Sequence, residues 1–294
     1  MKIDKLIIFL FIFLLSVNSV KASENWSSYC VQPYDLSLKG TQILTNITGM
    51  SFLSRSIANS VIKNELKKAS GTNGFKVKMK TYSAKDLLDG RFKSLNITGK
   101  NLDIDGLHIS NFSADTVCDF NYVKATTKSV TFKDNFIMKY NLDITEDDLR
   151  KTVISDDYVK KLKSLNLNIL GLNLFELKNV DVKLENNKFY YMLGMNNKIF
   201  NKSIPLNLVI SANVAIVNGK IKTRHITLEN FNTKLISISQ ASKLLNLINP
   251  LSFTTNIAGN SNSKITLSNM IIQDKKIILD GILFIPKNTE EKRS

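Results

Sequence analysis

The residues that could carry acid–base or metal chemistry in this sequence are few and scattered. The two histidines, His108 and His225, each stand alone within a strand-like alternation of apolar and hydroxyl side chains. A zinc site needs three or four ligands at a recognisable spacing, and no such set occurs along the chain. We therefore predict no metal site and interpret both histidines as structural or surface residues.

Two groups of carboxylates have the spacing of acid–base pairs. Asp103 and Asp105 are two residues apart, and Glu146, Asp147 and Asp148 form a run. Paired carboxylates can exchange protons with a substrate. The run, however, opens a predicted helix, where the helix dipole favours negative charge, and the first pair precedes a glycine, as turn residues do. Because the serine, thiol, zinc and phosphate-loop motifs are also absent, we predict no catalytic residues, no cofactor and no enzymatic activity.

The first 22 residues have the pattern of a secretory signal peptide. A short charged start leads into the apolar run LIIFLFIFLLSV, which is short of the roughly 20 residues of a transmembrane helix. Val20 and Ala22 then occupy the −3 and −1 sites of a cleavage before Ser23. An uncleaved membrane anchor is the alternative. We predict a signal peptide over residues 1–22, a single domain over 23–294, and export to the periplasm or another extracytoplasmic part of the cell envelope.

The chain is strongly basic, with 40 lysines and arginines, 25 carboxylates and a net charge of +15. Cleavage of the signal peptide would remove three lysines and one aspartate and leave +13. For an exported protein, this charge favours anionic lipid or cell-wall polymer over nucleic acid as the partner. The alternative is that the lysines only keep the protein soluble. The sequence leaves protein partners open.

The two cysteines, Cys30 and Cys118, leave two interpretations open. In an oxidising compartment an even number of cysteines indicates a disulfide, which here would close a long loop. Cys118 also continues the inward alternation of Phe112 and Ala114, so a buried free thiol that packs as a small apolar residue is the alternative.

The run from Thr41 to Gly71 has the period of an amphipathic helix. Lys67 and Lys68 fall in its last turn, where they complement the helix dipole, and Gly49 can kink it near its start. We predict one long N-terminal helix. Its apolar residues recur at intervals of three and four: Ile43, Leu44, Ile47, Met50, Leu53, Ile57, Val61, Ile62 and Leu66.

The rest of the chain mostly alternates between apolar and polar residues, as strands do. Asn186-Asn187 and Asn218-Gly219 mark hairpin turns. Two short helices begin at Thr145 and at Ser155, and Pro250 ends a third short helix. The predicted fold is α+β, a large curved antiparallel sheet wrapped around the long helix, with short helices at turns. Because one helix covers only part of the apolar face of such a sheet, an apolar groove remains.

The segment LLDGRFKSLNITGKNLDIDGLHISNF carries a Leu-rich turn, Gly-Arg-aromatic, a strand, a second glycine turn and another strand. This order resembles the LmeA-like family of bacterial exported phospholipid-binding proteins. The acidic helix start after Leu142 and the closing hairpin are similar too. The matching residues are Leu87, Leu88, Gly90, Arg91, Phe92, Gly99, Leu102, Gly106, Leu107, Ile109 and Ser110.

The resemblance implies half of a tubular lipid-binding fold, exported and linked to maintenance of the cell envelope, with no active-site residues to carry over. We therefore expect the apolar groove to hold the acyl chains of a phospholipid, and basic residues at its rim to meet an anionic headgroup at a membrane surface. The expected groove residues are Leu53, Ile57, Val61, Phe75, Val77, Met79, Leu208 and Ile210, and the expected headgroup residues are Lys67, Lys68, Lys76, Lys78 and Arg91.

For each of these residues, ordinary core packing or a solvated strand face is the alternative to a ligand contact. For the whole chain, two other functions compete with lipid binding. An envelope scaffold that binds proteins predicts a closed core without a continuous groove. A hydrolase of envelope lipid or glycan predicts Asp, His or Ser side chains that converge in one cleft.

Overall fold

The computed structural model describes residues 25–70, 72–104, 106–125, 130–164, 175–199, 202–217, 220–230, 236–252, 264–273 and 275–288. The predicted signal peptide and the predicted turn at Asn218-Gly219 lie outside the described residues, as do Gly71 and Asp105.

Two helices replace the one long N-terminal helix that the sequence predicts. The chain leaves the helical path at Thr48 and Gly49, and Gly49 has a φ of +73°. Glycine adopts this left-handed conformation without a steric penalty and so ends a helix. The helices are α1 (Lys39–Ile47), α2 (Met50–Ser70), α3 (Ala84–Leu88), α4 (Glu146–Ile154), α5 (Asp156–Lys163) and α6 (Ile238–Ile248).

The predicted starts of α4 and α5 are confirmed. Thr145 caps α4 in a capping box with Asp148, and the Ser155 side chain accepts the backbone N–H of Tyr158 at the start of α5. Such caps satisfy backbone N–H groups that have no partner within the helix. The acidic run of Glu146, Asp147 and Asp148 therefore lies in the first turn of a helix, where the sequence placed it.

Thirteen strands make up about half of the described chain. They are β1 (Phe75–Lys80), β2 (Arg91–Phe92), β3 (Ser94–Ile104), β4 (Leu107–Thr116), β5 (Asn121–Ala125), β6 (Val130–Phe132), β7 (Phe136–Thr145), β8 (Phe175–Glu185), β9 (Lys188–Ile199), β10 (Lys202–Val217), β11 (Lys220–Leu228), β12 (Lys264–Gln273) and β13 (Lys276–Ile285).

These strands form three antiparallel sheets rather than the one large sheet that was expected. The largest has the order β1-β3-β4-β7-β13-β12, the second β11-β10-β9-β8, and the smallest β2-β5-β6. The α+β class and the antiparallel pairing are confirmed. Alternation predicts strands, but it does not predict which strands pair, because pairing depends on contacts between distant parts of the chain.

One extensive core joins the elements. It includes side chains from the two larger sheets and from α4, α5 and α6. Helix α4 contacts both β4 and β8, and β12 contacts β8 and β10, so these elements connect the two sheets. Helix α2 packs against β1 and β3 at one edge of the six-stranded sheet.

A second, smaller apolar cluster surrounds a disulfide between Cys30 and Cys118. Trp26 belongs to this cluster and lies 5.7 Å from Phe284, measured between ring centroids. The disulfide thus attaches the segment that precedes α1 to the ends of the central strands. Within the described part of the chain, no helix has both the length and the apolar character that crossing a membrane requires.

Candidate functional site

An apolar groove of about 470 Å³ lies between α2 and the sheets. Its volume falls within the roughly 300–1,000 Å³ of small-molecule sites, and among the described lining residues only Ser54 carries a hydroxyl group. The lining residues are Ser54, Ile57, Ala58, Val61, Ile62, Leu66, Met79, Leu87, Leu88, Gly90, Phe92, Leu95, Ile97, Val123, Phe132 and Phe136.

The pairing of β1 with β3 builds one wall of this groove. Met79 of β1 pairs with Leu95 of β3, and Ile97 follows two residues further along β3, so these three lining side chains point to the same side of the sheet. Lys78 and Lys80, on either side of Met79 in β1, are exposed, whereas Met79 is buried. One strand face therefore supplies an apolar wall, and the opposite face carries charge to solvent.

The turn into β2 forms the far end of the groove. Gly90 has a φ of +89°, and a Cβ atom added there would lie 2.4 Å from the carbonyl oxygen of Val123. Only glycine permits both this conformation and this close approach. Along β2 successive side chains then point to opposite sides, so Phe92 lines the groove and Arg91 does not.

Arg91 is buried in a cluster of carboxylates on the other side of β2. Its guanidinium forms ion pairs with Asp35, with Asp89 at 2.5 Å and with Asp86 at 3.7 Å. Only 6 % of its side chain is exposed. The charge of Arg91 is therefore already balanced within the protein, and the arginine serves to join β2 to the segment that precedes α1.

Asp86 anchors that segment. It accepts hydrogen bonds from the backbone N–H and the hydroxyl of Ser37, both at 2.8 Å, and from the Ser83 hydroxyl at 2.6 Å. Burial acts to raise the pKa of Asp86, but these hydrogen bonds and the charge of Arg91 outweigh it and lower the pKa. The carboxylate form is thus the one that the fold stabilises.

A second cleft, of about 380 Å³, lies on the opposite flank of α2. Arg55, Lys63 and Lys78 contribute three cationic side chains to its lining, and none of the described lining residues is a carboxylate. The buried Oδ1 atom of Asn59, another lining residue, has no hydrogen-bond partner among the described residues. Met79 lines both this cationic cleft and the apolar groove. Helix α2 therefore separates an apolar site from a cationic one.

Comparison with protein families decides what kind of protein carries this groove. A family model described as LmeA-like phospholipid-binding matches residues 49–282. The chain belongs to the LmeA-like family. The matched range includes every residue that lines the groove and excludes α1 and Cys30. No curated protein and no solved structure matches the chain.

Three of the eight groove residues predicted for this LmeA-like protein line the groove, namely Ile57, Val61 and Met79. Val77 lines the cationic cleft instead. Leu53 is exposed and Phe75 is buried, and neither residue lines the groove. Binding of lipid by the lining residues stays a prediction.

Leu208 and Ile210 do not line the groove. Both lie in β10 of the four-stranded sheet, and both side chains are completely buried in the core. Alternation identified their inward face correctly, but inward-facing residues of two different sheets have the same pattern in the sequence.

The predicted headgroup residues of this LmeA-like protein lie in different places. Lys78 lines the cationic cleft, and Lys67 and Lys76 are exposed to solvent. The Lys68 side chain lies outside the described residues. Arg91 is held by the carboxylate cluster described above, so its side chain is not available at the groove.

Sequence reasoning missed most of the groove. The spacing along α2 did not single out Ala58, Ile62 or Leu66 as lining residues, and the strand residues come from six different strands. For the lining residues that were missed, the usable signal was the motif of the family resemblance, because Leu87, Leu88, Gly90 and Phe92 all belong to it and line the groove.

The residues considered for catalysis in this LmeA-like protein stabilise a turn or lie in strands. Asp103 accepts the backbone N–H of Gly106 at 3.0 Å and lies 3.8 Å from the His108 ring nitrogen Nε2. His225 lies in β11 of a different sheet. Within the described residues, no group of three or more His, Cys, Asp or Glu side chains could hold a metal ion.

Proposed function

We propose that this protein is a non-enzymatic, exported phospholipid-binding protein of the cell envelope, which holds the acyl chains of its ligand in the groove between α2 and the sheets. The groove itself carries the proposal, since its lining is almost wholly apolar and includes one hydroxyl group. Membership of the LmeA-like family supports phospholipid as the ligand class. The signal-peptide pattern of residues 1–22 supports export.

The groove can supply enough free energy to retain an acyl chain. Each methylene group that leaves water contributes about 0.8 kcal/mol. Half of one acyl chain would therefore contribute several kcal/mol, from which the cost of ordering the chain must be subtracted. A lipid carrier needs an affinity that retains the ligand in water and still allows its release, and a partly open groove fits that need.

We further propose that the bound phospholipid is anionic. The chain has a net charge of +15, and the cationic cleft beside α2 offers Arg55, Lys63 and Lys78, with no carboxylate among its described lining residues. Lysine acts toward phosphate as a point charge, and arginine can offer paired hydrogen bonds. Both would favour an anionic headgroup over a zwitterionic one.

The two competing functions have less support. A scaffold without a ligand was expected to have a closed core, whereas an apolar groove opens beside α2. A hydrolase was expected to gather His, Asp or Ser side chains in one cleft, whereas the two histidines belong to different sheets.

Native mass spectrometry of the purified protein tests the proposal. We expect co-purifying phospholipid on the wild-type protein. Ala58→Trp should displace it, because Ala58 lines the groove and the indole would occupy the space of the acyl chain. Ile154→Trp places the same side chain at an exposed position of α4, outside the linings of the groove and of the cationic cleft, and should leave the lipid bound.

Circular dichroism would verify that both variants remain folded. The proposal is wrong if the wild-type protein carries no lipid after gentle purification and takes up none from added phospholipid. It is also wrong if a folded Ala58→Trp variant retains as much lipid as Ile154→Trp.

A further inference from the structure

We propose that α1, α2 and the end of α3 form a face that docks on the surface of an anionic lipid bilayer. This inference rests on the proposed function, because a protein that carries phospholipid must exchange it with a membrane. It adds a location, a set of side chains and an electrostatic requirement for that exchange.

The first observation is an exposed apolar stripe along α2. Met50, Leu53, Ile57 and Val61 are 54 %, 61 %, 66 % and 47 % exposed. Their spacing of three, four and four residues places them on one side of the helix. An apolar stripe usually turns toward the core, but α2 already packs against the sheet through Ala58, Ile62 and Leu66. The helix therefore has a second apolar side that no described residue covers.

The second observation is that neighbouring helices extend the stripe. In α1, Ile43, Leu44 and Ile47 are all exposed, and Leu88 at the end of α3 is 83 % exposed. The three helices contact one another. The bonds from Ser37 to Asp86 fix the chain just before α1 to α3. We take these exposed apolar side chains to form one surface, which we name the outer apolar face.

The third observation is that this face runs directly into the groove. Ile57, Val61 and Leu88 belong to the outer apolar face and also line the groove. An acyl chain that leaves the groove here would pass along apolar side chains without crossing water. Exposed apolar patches of this kind mark interaction sites, and continuity with a lipid groove favours a lipid layer as the partner.

The charge of the segment that carries the outer apolar face indicates which kind of partner covers it. The α1–α2 segment, residues 39–70, contains five lysines and arginines and a single carboxylate, Glu65. Helices with an exposed apolar stripe and basic flanks lie in the interface of anionic membranes. A second copy of the same cationic face would be repelled. The cationic cleft of Arg55, Lys63 and Lys78 lies on the flank of α2, where it would meet lipid phosphates.

Flotation of the full chain, purified as the cells process it, with vesicles of stated composition tests the inference. We expect binding to phosphatidylcholine–phosphatidylglycerol vesicles, and weaker binding to pure phosphatidylcholine or at high salt. The variant Ile47→Ser/Leu53→Ser changes the outer apolar face and no groove-lining residue. It should lower the partition coefficient at least about tenfold.

The matched control is Ile154→Ser/Ile238→Ser. Its two isoleucines are 72 % and 61 % exposed, but they lie on α4 and at the start of α6. This control should bind vesicles as the wild-type protein does. A charge variant, Arg55→Gln/Lys63→Gln, should reduce binding to anionic vesicles and leave the weak binding to pure phosphatidylcholine unchanged.

Two readouts distinguish this inference from the proposed function. A wild-type protein that carries lipid by mass spectrometry but binds neither kind of vesicle would overturn the docking face and leave lipid binding intact. Equal loss of binding in the Ile47/Leu53 and Ile154/Ile238 variants would also overturn it, as would a dimer in light scattering that only the first variant abolishes. Absence of lipid from the wild-type protein would instead overturn the proposed function.

Discussion

At the scale of single residues, the adjacent residues Arg91 and Phe92 have different structural roles. Phe92 lines the groove, whereas Arg91 is buried among carboxylates on the other side of the strand. A buried guanidinium requires such partners, because an unpaired charge in the interior is strongly destabilising. The consequence is that Arg91 contributes to the fold that holds the groove in place, and the carboxylates around it should be as important as the arginine.

The first prediction concerns Asp86. The variant Asp86→Ala should lower the free energy of unfolding by about 3 kcal/mol, because it leaves the Ser37 N–H without its acceptor and removes a partner of Arg91. Asp35→Ala provides the control. Its side chain is 68 % exposed, so its ion pair should contribute less than about 1 kcal/mol. Urea denaturation measures both, and similar losses for the two variants would contradict this interpretation.

The same carboxylate predicts a pH dependence. Because the pKa of Asp86 in the folded protein lies below its ordinary value of 3.8, the stabilisation it provides is fully present above that pH. It is lost as the pH falls from 3.8 through the lowered folded-state pKa. Unfolding curves in that acid range should show a smaller pH dependence in Asp86→Ala than in the wild-type protein. If the pH dependence of stability is the same in Asp86→Ala as in the wild-type protein, it arises from other carboxylates.

At the scale of elements, the sequence predicts local structure well and the arrangement of elements poorly. The caps at Thr145 and Ser155 and the turn at Asn186-Asn187, where both φ angles are positive, depend on a few neighbouring residues and were predicted correctly. The division of the strands into three sheets depends on pairing between distant segments, which alternation does not encode. The same limit explains why Leu208 was assigned to the groove.

The break between α1 and α2 shows the limit of periodicity within a single element. The apolar spacing continues across Gly49 almost without interruption, so the sequence favours one helix. The left-handed conformation of Gly49 instead ends one helix and lets the next begin at Met50. This break lets α1 contact both α2 and α3, an arrangement that one straight helix would not give.

Two glycines provide an element-scale prediction with an internal control. Gly90→Ala should lower the free energy of unfolding by about 3 kcal/mol, because its φ is +89° and the new Cβ would lie 2.4 Å from the Val123 carbonyl oxygen. Since Val123 lines the groove, lipid occupancy should fall as well. Gly40→Ala in α1 meets no atom within 4 Å and should be neutral or stabilise by up to about 1 kcal/mol. Thermal unfolding and native mass spectrometry would measure both effects, and equal effects would contradict the role assigned to the Gly90 turn.

At the scale of the whole molecule, the disulfide holds the segment before α1 against the central strands. Cys30 and Cys118 are 88 residues apart in the sequence. In the chain-entropy model, closing a loop of that length stabilises the folded state by about 4–5 kcal/mol. Cys30→Ser/Cys118→Ser should lose stability of this order under oxidising conditions, and a reducing agent should then have no further effect on the variant.

The chain contains one tryptophan, which makes the local consequence of breaking the disulfide measurable. Trp26 packs in the small cluster around the disulfide, against Tyr29 and Phe284. Without the bond, few apolar contacts hold this corner, so Trp26 emission should shift to the red at a lower urea concentration than the loss of far-ultraviolet circular dichroism. In the oxidised wild-type protein the two transitions should coincide. Coincident transitions in the variant as well would show that the corner and the groove unfold as one unit, and that the disulfide stabilises the entire fold rather than the attachment of α1 to it.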